Sequence, residues 1–589
     1  MRKKLIPIMF GIFILAGFGW LSSQQNAEDA KFAKTLDEYL DAYWKFFPTA
    51  GTLAGYYKYN DKLEKLAESD IEDYLNIVDK TSADLVKKVS REKLSPEAQI
   101  DFDLLRDMIE LNLLRLEKIV PQQLNPLFYS DIFLESLRSL FVKEFAPLDA
   151  RLKSATERAK ALPGLIKTAK EELKTPPKEY TEEAIRKFPA IVDYYKIEIP
   201  KLIESGGGEA KSKFQAELGK AIAALEDYQK FLQNDLLAKS TGNFRLGEAH
   251  QRIFQLTSGG MIMLNELGAR ATAEATNLRR EMFLVCMPYY KIMDPKFDVE
   301  NPPANITKDQ LFNNVVPHVM TRIKVDQPAK EEWFNKIKSS ADEIKAFNAK
   351  QGLLDVPEDA FSIELMPPLD RNSILAKLVT PKPYEQSGSY AVQINPYYES
   401  LPADQVPLFM DEYPNYMLPI WTIHNVYPGD FFPAAFALKN ASLIRKLNPN
   451  QALIQGWPLY AQDMFVYAGF NNYDLRQRLF ELKSKLEALM DFQIDVSVHE
   501  GSTTKEQAIR LMTVNGFQTQ AAAERKWNKI VLNPNEASNA YIGYQTILDI
   551  EKDYKAAKGE AFSKKEFLKK LAGFGPLPLR IVKAKLIPQ

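Results

Sequence analysis

The sequence predicts a large, mainly α-helical protein with a few short β-strands. The chain has 589 residues, which is enough for a large hydrophobic core and for more than one lobe. Beyond residue 30, apolar side chains recur every three or four positions through most of the chain, which is the period of an amphipathic helix. Strand-like segments are expected in a region rich in proline and tyrosine between residues 365 and 407.

The individual elements follow from the same pattern. The spacing of Phe32, Leu36, Leu40, Tyr43 and Phe47 predicts a helix, and Pro48 ends it because proline cannot donate the next helical hydrogen bond. Further helices are predicted around residues 104–111, 214–225 and 479–489, with breaks at residues 206–208 and 302–303. The segment Tyr390–Ile394 is predicted to form a strand.

The first 25 residues have the pattern of an export signal. Basic residues at positions 2–4 precede the apolar run Leu5–Leu21, and a polar segment follows. We therefore expect an exported protein, periplasmic or extracellular. The run is slightly short for a membrane span, which needs about 20 apolar residues, but the cleavage signal is poor. Removal of the segment and its retention as an anchor both stay open, and membrane contact is expected only through it.

Charge and cysteine content argue against several functions. Lysine plus arginine number 76 and aspartate plus glutamate 77, so no excess of positive charge is available to bind nucleic acid. Cys286 is the single cysteine, so neither a disulfide framework nor a cysteine zinc site can form. It lies in an apolar run and is expected in the core. No cysteine follows the N-terminal run, so a lipid anchor is not expected there.

Histidine content narrows the chemistry further. The four histidines are His250, His318, His424 and His499. A helical zinc-peptidase motif needs two histidines one turn apart and an adjacent glutamate as base, and the sequence has no such pair. It also lacks a phosphate-binding glycine loop and a Gly-x-Ser-x-Gly nucleophile motif. We assign no function to His250 or His318.

Residues 424–430, HNVYPGD, have the outline of a metal-binding helix with altered chemical residues. Six residues along a straight helix turn a side chain by about 240°, away from the first one. Pro428 removes a helical hydrogen bond and Gly429 relaxes the backbone, so a kink can return Asp430 to the face of His424.

Four other motifs complete the pattern. Gln455 and Gln462 lie seven residues apart in QGWPLYAQ, on one face of a predicted helix. The others are PTAGTLAG at 48–55, DVSVH at 495–499 and PNEASNAYIG at 534–543. Together these motifs resemble the bacterial family known as domain of unknown function 885, which is similar to helical zinc metallopeptidases. The resemblance covers nearly the whole chain beyond its N-terminal segment.

The resemblance implies positions for a metal site, but the residues at these positions differ. The family pattern His-Glu-x-x-Pro-Gly-His puts His424 and Asp430 at metal-ligand positions and Asn425 at the position of the general base. Gln455 stands where the family has the glutamate of the third ligand, and Ala540 where it has a tyrosine. An amide is a weak zinc ligand and cannot accept a proton. We therefore expect no intact metal or catalytic residues and no cofactor.

The resemblance also implies the architecture. We expect a two-lobed metallopeptidase-like fold around a deep cleft, with an N-terminal helical lobe at 26–300 and a C-terminal helical lobe at 301–589 that carries the motifs. The residues expected in the cleft, besides the metal positions, are His499, Gln462, Glu536, Trp457 and Tyr460. For His499, contact with a ligand and a structural role between two helices are both open.

Three hypotheses about function remain. In the first, the protein is a non-catalytic relative of a zinc metallopeptidase that binds a peptide or another ligand in the cleft. In the second, it is an active metal-dependent peptidase or hydrolase with an atypical ligand set, and zinc is its cofactor. In the third, it is a structural or partner-binding secreted helical protein. Metal content distinguishes the first two, and an open or self-filled cleft distinguishes the first from the third.

Overall fold

The computed structural model describes residues 26–258, 264–357, 361–371, 374–385, 388–440 and 442–587. These residues are mainly helical, with a small sheet, as the sequence predicts. The predicted export segment, residues 1–25, lies outside the described residues. Within the described ranges, no helix is both long and apolar enough to cross a membrane.

The first half of the chain consists of helices joined by short connections. Their bounds are α1 (Ala27–Phe46), α2 (Pro48–Ala54), α3 (Glu68–Lys88), α4 (Pro96–Leu114), α5 (Pro121–Leu124), α6 (Pro126–Phe141), α7 (Leu148–Glu172), α8 (Lys178–Asp193), α9 (Ile199–Leu202), α10 (Gly208–Phe231), α11 (Leu237–Lys239), α12 (Glu248–Ser258) and α13 (Leu264–Met293). The predicted end of the first helix is confirmed, and Pro48 begins the next helix, where its missing N–H costs no hydrogen bond.

The second half is also mainly helical. Its helices are α14 (Lys308–Ile323), α15 (Trp333–Gln351), α16 (Val406–Met410), α17 (Met417–Asn425), α18 (Phe431–Asn440), α19 (Leu443–Leu447), α20 (Gln451–Tyr467), α21 (Leu475–His499), α22 (Lys505–Arg510), α23 (Gln520–Leu532), α24 (Asn539–Lys558), α25 (Lys564–Gly573) and α26 (Leu579–Leu586). The helices predicted at 104–111, 214–225 and 479–489 are confirmed as parts of α4, α10 and α21.

A three-stranded sheet fills the proline- and tyrosine-rich region. Its strands are β1 (Phe361–Leu365), β2 (Ala376–Val379) and β3 (Tyr390–Ile394), in the order β1-β3-β2. β3 pairs parallel with β1 and antiparallel with β2, which confirms the predicted strand. Phe361 and Tyr390 pack on Phe431, with ring centroids 4.5 and 5.3 Å away. The sheet therefore supports the start of α18.

The apolar side chains form three separate buried clusters. The largest combines residues from before and after position 300, for example Leu40 with Val315 and Leu486. A second lies within residues 63–236, and a small third one surrounds Trp527. Cys286 is buried in the largest cluster, where burial raises the pKa of its thiol to about 12. The division into two lobes at residue 300 stays a prediction.

The PTAGTLAG motif has a structural role in the first half of the chain. Arg158, whose side chain is fully buried, donates to the carbonyl oxygen of Pro48 at 3.2 Å and to Thr52 Oγ1 at 2.7 Å. The buried Glu64 carboxylate accepts the backbone N–H of Thr49 at 3.0 Å. An unpaired buried charge costs several kcal/mol, so these contacts tie the motif firmly to α7.

Helices α20 and α24 cross with their backbones in direct contact. Gly456 of α20 faces Gly543 of α24, and a Cβ atom at either position would overlap the backbone of the other helix. At position 543 the overlap would be with the carbonyl oxygen of Ala452. Only glycine permits this approach, which sets the position of both helices in the molecule.

We predict that Gly543→Ala destabilises the protein by about 3 kcal/mol or more, because a backbone clash cannot be relieved by a change of rotamer. Gly219→Ala is the matched control, since position 219 lies within α10 and nothing lies within 4 Å of a Cβ atom placed there. The control should leave stability unchanged or raise it by about 0.5–1 kcal/mol. Thermal unfolding of the two variants tests this, and equal midpoints would contradict the proposed crossing.

Candidate functional site

The HNVYPGD stretch forms a break between α17 and α18. Helix α17 ends at Asn425, and α18 begins at Phe431. The backbone N–H of Gly429 donates to the carbonyl oxygen of Ile423 at 2.9 Å, and the N–H of Asp430 donates to that of His424 at 3.2 Å. These bonds span six residues instead of the helical four. The chain thus folds back on the end of α17, and Asp430 returns to the backbone of His424.

Two neighbours hold this break in place. A Cβ atom at Gly429 would overlap the carbonyl oxygen of His424, so the close approach requires glycine. Trp457 Nε1 donates to the carbonyl oxygen of Pro428 at 3.4 Å, and its indole stacks on Phe432 with ring centroids 4.7 Å apart. Helix α20, fixed by its crossing with α24, therefore supports the break through Trp457.

A cavity of about 510 Å³ opens beside the break. Its walls come from one face of each of α17, α20, α21 and α23 and from the chain leading into α24. Ligand pockets in proteins commonly have volumes of about 300–1,000 Å³. Apolar and aromatic side chains of the lining include Phe409, Tyr413, Met417, Trp421, Phe480 and Phe517.

The cavity brings together most of the site residues that the sequence predicts. Those that line it are His424, Asn425, Asp430, Gln455, Gln462, Glu536 and Ala540. They come from α17, the break, α20 and the segment before and within the first turn of α24. Residues up to 116 positions apart in the sequence therefore share one cavity.

Three of the predicted site residues do not line the cavity. Trp457 contacts the break from the face of α20 that is turned away from the cavity, and it is 1% exposed. Tyr460 is 2% exposed, and its hydroxyl donates to Glu551 Oε2 at 2.7 Å. Helix α20 turns its 455, 458, 459 and 462 positions towards the cavity, so 457 and 460 face away. His499 belongs to a separate cluster described below.

The wall formed by α17 and α20 is mostly uncharged. Asn425 Nδ2 donates to the carbonyl oxygen of Trp421 at 3.1 Å, and Gln462 Nε2 donates to that of Ile420 at 2.9 Å. Burial lowers the pKa of His424 to about 4, and the nearby Lys529 charge acts in the same direction while Gln462 opposes it. The imidazole is therefore neutral at neutral pH.

Asp430 is the acidic group of this wall. Burial raises the pKa of its carboxyl to about 7. Its side chain keeps some accessible surface inside the cavity, but the surrounding protein leaves little water to solvate a negative charge. Near neutral pH the carboxyl is therefore present in both protonation states.

A second wall, formed by α21 and α23 with Lys324, Glu412 and Glu536 from neighbouring segments, carries many charges that the motifs did not indicate. The basic residues lining the cavity are Lys324, Lys483, Arg525, Lys526 and Lys529, and the acidic ones besides Asp430 are Glu412, Glu487, Asp491 and Glu536. On α21 the spacing of 483, 487 and 491 is a helical stripe, which is visible in the sequence. The sequence does not reveal that this stripe faces a cavity instead of solvent.

Ion pairs organise this charged wall. Lys526 Nζ lies 2.9 Å from Glu487 and 3.1 Å from Asp491, and Glu487 also pairs with Lys483. Burial would raise the pKa of Glu487, but the charges of Lys483 and Lys526 outweigh it and lower that pKa to about 2. The Glu487 carboxylate therefore stays ionised.

His499 lies in a buried cluster outside the cavity. Its ring stacks on that of His250, with centroids 4.9 Å apart. Asp495 Oδ1 lies 3.4 Å from His250 Nε2 and accepts the backbone N–H of Asn535 at 3.2 Å, and Ser538 donates to the other carboxylate oxygen. Burial lowers the pKa of His499, although the Asp495 charge opposes this. The cluster joins α12 and α21 to the chain leading into α24.

The cavity residues do not fit a zinc site. Zinc in hydrolases is held by three His, Asp or Glu side chains with water in the fourth position. Of the three implied positions, His424 and Asp430 carry suitable donors, whereas Gln455 offers an amide. Across the described residues, no three His, Cys, Asp or Glu side chains converge in an arrangement able to hold a metal ion.

Comparisons with known proteins agree with the fold. A family of bacterial proteins of unknown function, DUF885, matches residues 48–586. A solved structure described as a candidate lipoprotein of unknown function from Shewanella oneidensis is 22% identical, covers 94% of this chain and 99% of its own, and has a TM-score of 0.80. A candidate lipoprotein from Colwellia psychrerythraea is 15% identical, covers 95% and 99%, and has a TM-score of 0.74. The comparison with curated proteins returned no match.

We predict that Asp430→Asn stabilises the protein more at pH 8 than at pH 5. The pKa of Asp430 is about 7 in the folded chain against 3.8 as its ordinary value, so the native state resists ionisation. The wild type therefore loses stability as the pH rises from about 4 to 7, whereas the amide variant does not. The gain should differ by about 1–2 kcal/mol between the two pH values, less than the full shift implies because the cavity admits water.

Denaturant unfolding of both proteins at the two pH values measures this difference. The titration of His424 occurs in both proteins and cancels to a first approximation. Asp342→Asn is the control, because Asp342 is exposed on α15. A gain at Asp430 that is independent of pH, or one shared by the control, would contradict the buried-carboxyl interpretation.

Proposed function

The chain belongs to the DUF885 family of bacterial proteins of unknown function, and on that premise we propose that this member is an exported ligand-binding protein. In this proposal it is a non-catalytic relative of helical zinc metallopeptidases, and its cavity binds a peptide or a similar small ligand without hydrolysing it. The observation that carries the proposal is the amide of Asn425, which lines the cavity where the implied mechanism requires a carboxylate base.

The chemistry of the cavity supports binding over hydrolysis. A metal-bound water must transfer a proton to a base, and an amide cannot accept one. Asn425 is also tied to the backbone of α17 by its hydrogen bond to Trp421. Glu536 lines the cavity, but its carboxylate is already engaged in an ion pair with Lys529 at 3.0 Å. Ala540 supplies no hydroxyl to stabilise an oxyanion.

The open cavity favours a ligand role over a purely structural one. Its volume of about 510 Å³ is within the range of small-molecule sites, and its lining combines aromatic side chains with convergent polar groups. If the cleft had no ligand role, side chains of the protein that filled it would increase stability, because protein interiors are closely packed and have few large voids.

An active metal-dependent hydrolase is the second candidate. His424 is neutral near pH 7 and Asp430 lines the same cavity, so two groups that metals can bind are near the break. This candidate requires a third ligand and a base from other residues. Stoichiometric zinc in the purified wild type, together with peptide cleavage that a chelator stops, would establish it.

We propose that the protein is exported, on the basis of its N-terminal sequence and the descriptions of two similar structures. Residues 1–25 have the charge and apolar run of a secretory signal, and the two similar structures are described as candidate lipoproteins. Lipid attachment to this chain is not proposed, because its single cysteine, Cys286, is buried in α13. Fractionation of cells that produce the full chain tests the localisation.

We predict that the triple variant Asn425→Glu, Asp430→His and Gln455→Glu binds about one zinc ion per chain, whereas the wild type binds much less. The change restores the implied ligands and base at positions that line one cavity. Metal analysis of dialysed protein measures the effect. Adding His424→Ala to the triple variant is the control and should abolish the gain. An unchanged metal content in the triple variant would reject the positions inferred from the motifs.

We also predict that filling the cavity abolishes ligand binding. Ala522→Trp places a large side chain on the cavity face of α23, and Ala216→Trp places one on the exposed face of α10. A random tripeptide mixture, analysed by affinity selection and mass spectrometry, should yield peptides bound intact to the wild type and to Ala216→Trp. No retention by the wild type, or equal retention by Ala522→Trp, would reject a peptide ligand in this cavity.

A further inference from the structure

Among the described residues lining the cavity, every basic side chain except one pairs with a carboxylate. Lys483 and Lys526 are matched by Glu487 and Asp491. Arg525 pairs with Glu412 at 2.5 Å, and Lys529 pairs with Glu536 at 3.0 Å. Each of these cations therefore already has a carboxylate as partner.

Lys324 is the exception. It follows the last residue of α14, is half-buried, and lines the cavity. Its ammonium group forms no hydrogen bond or ion pair with any residue that the structure describes. Burial and the nearby charge of Lys483 lower the pKa of Lys324, while Glu412 acts more weakly in the opposite direction. The side chain is thus partly withdrawn from bulk water, and its ammonium group lacks a direct partner among the described residues.

We infer that Lys324 binds a carboxylate group of the ligand, and that the cavity is selective for carboxylate-bearing ligands with an apolar body. This inference rests on the proposed ligand-binding function. Withdrawing an ammonium group from water is costly unless an opposite charge accompanies it, so a ligand that supplies this charge gains affinity. Amide or hydroxyl groups could accept a hydrogen bond from Lys324 but would leave its charge unbalanced.

The balance of charges favours a carboxylate over a phosphate group. Among the described residues lining the cavity, four of the five basic side chains pair with a carboxylate, and Lys324 supplies one unpaired positive charge. One additional negative charge neutralises it. A phosphate group carries about −1.5 to −2 at pH 7 and would leave a buried negative excess beside Glu412 and Glu487.

The remaining lining indicates the body of the ligand. Phe409 and Tyr413 flank Glu412 in the sequence and line the same cavity, as do Phe480 and Phe517. Aromatic side chains contribute a large apolar surface to binding sites. The C-terminus of a short apolar peptide and a free aromatic acid both combine these features, and the test below separates the two sources.

The test uses the wild type and three probes: N-acetylated tripeptides of random apolar sequence with a free C-terminal carboxylate, the same mixture as C-terminal amides, and 3-phenylpropionate. Acetylation leaves the carboxylate as the only charge of the peptide acid. We expect a carboxylate probe to bind at least about 10-fold more tightly than the amides, since a charge-assisted hydrogen bond contributes about 1.5–3 kcal/mol. Binding of 3-phenylpropionate alone would retain the carboxylate and exclude the peptide as its source.

Two variants assign this selectivity to Lys324. Lys324→Met should weaken binding of the carboxylate probe about 10-fold or more and leave binding of the amides nearly unchanged, whereas Lys324→Arg should retain selectivity. Lys350→Met, at an exposed position near the end of α15, is the control and should behave as the wild type. Circular dichroism confirms folding, and the wild-type comparison of acids with amides needs no variant.

The outcomes separate the inference from the proposed function. Equal binding of acids and amides, or full selectivity in Lys324→Met, would overturn the role of Lys324 while ligand binding stands. Absence of binding for every probe would overturn the inference. If random unmodified tripeptides also fail to bind the wild type, the proposed peptide-binding function fails with it.

Discussion

The contact of Gly456 with Gly543 is the constraint on which the site depends. Because neither helix has a Cβ atom at the crossing, α20 and α24 approach to backbone contact, and the orientation of α20 is set. That orientation turns Gln455 and Gln462 into the cavity and Trp457 away from it. Trp457 then holds the carbonyl group of Pro428 and, through it, the break between α17 and α18.

The break brings positions 424 and 430 together, which a continuous helix cannot do. Positions 424 and 430 would face different directions on a straight helix. Hydrogen bonds that span six residues bring Asp430 back to the end of α17, and Gly429 provides the space. The cluster of His250, Asp495 and Ser538 holds the chain that leads into α24, and Ala540 in the first turn of that helix lines the same cavity.

The two walls of the cavity differ in their electrostatics. One wall presents a neutral imidazole, amides and a carboxyl whose pKa burial raises to about 7. The other presents paired charges, in which Lys483 and Lys526 keep Glu487 ionised. A cavity with one polar uncharged wall and one charged wall is suited to orient a ligand, since each end of the ligand meets a different environment. The chemistry of hydrolysis requires a base that the amide of Asn425 does not provide.

By itself, the sequence determined the helical class, several helix positions and the strand Tyr390–Ile394, because period, proline and glycine act over a few residues. The grouping of the motifs around His424 and Gln455 came from the family resemblance. The tertiary structure decided which helix faces pack together and which line the cavity. The sequence shows the stripe of Lys483 and Glu487 but not what it faces, and it does not relate Lys324 to the cavity at His424, 100 residues away. It also left two roles open for His499, whose burial beside His250 depends on packing between distant helices. Side-chain direction at a site follows from helix crossings, which long-range contacts set.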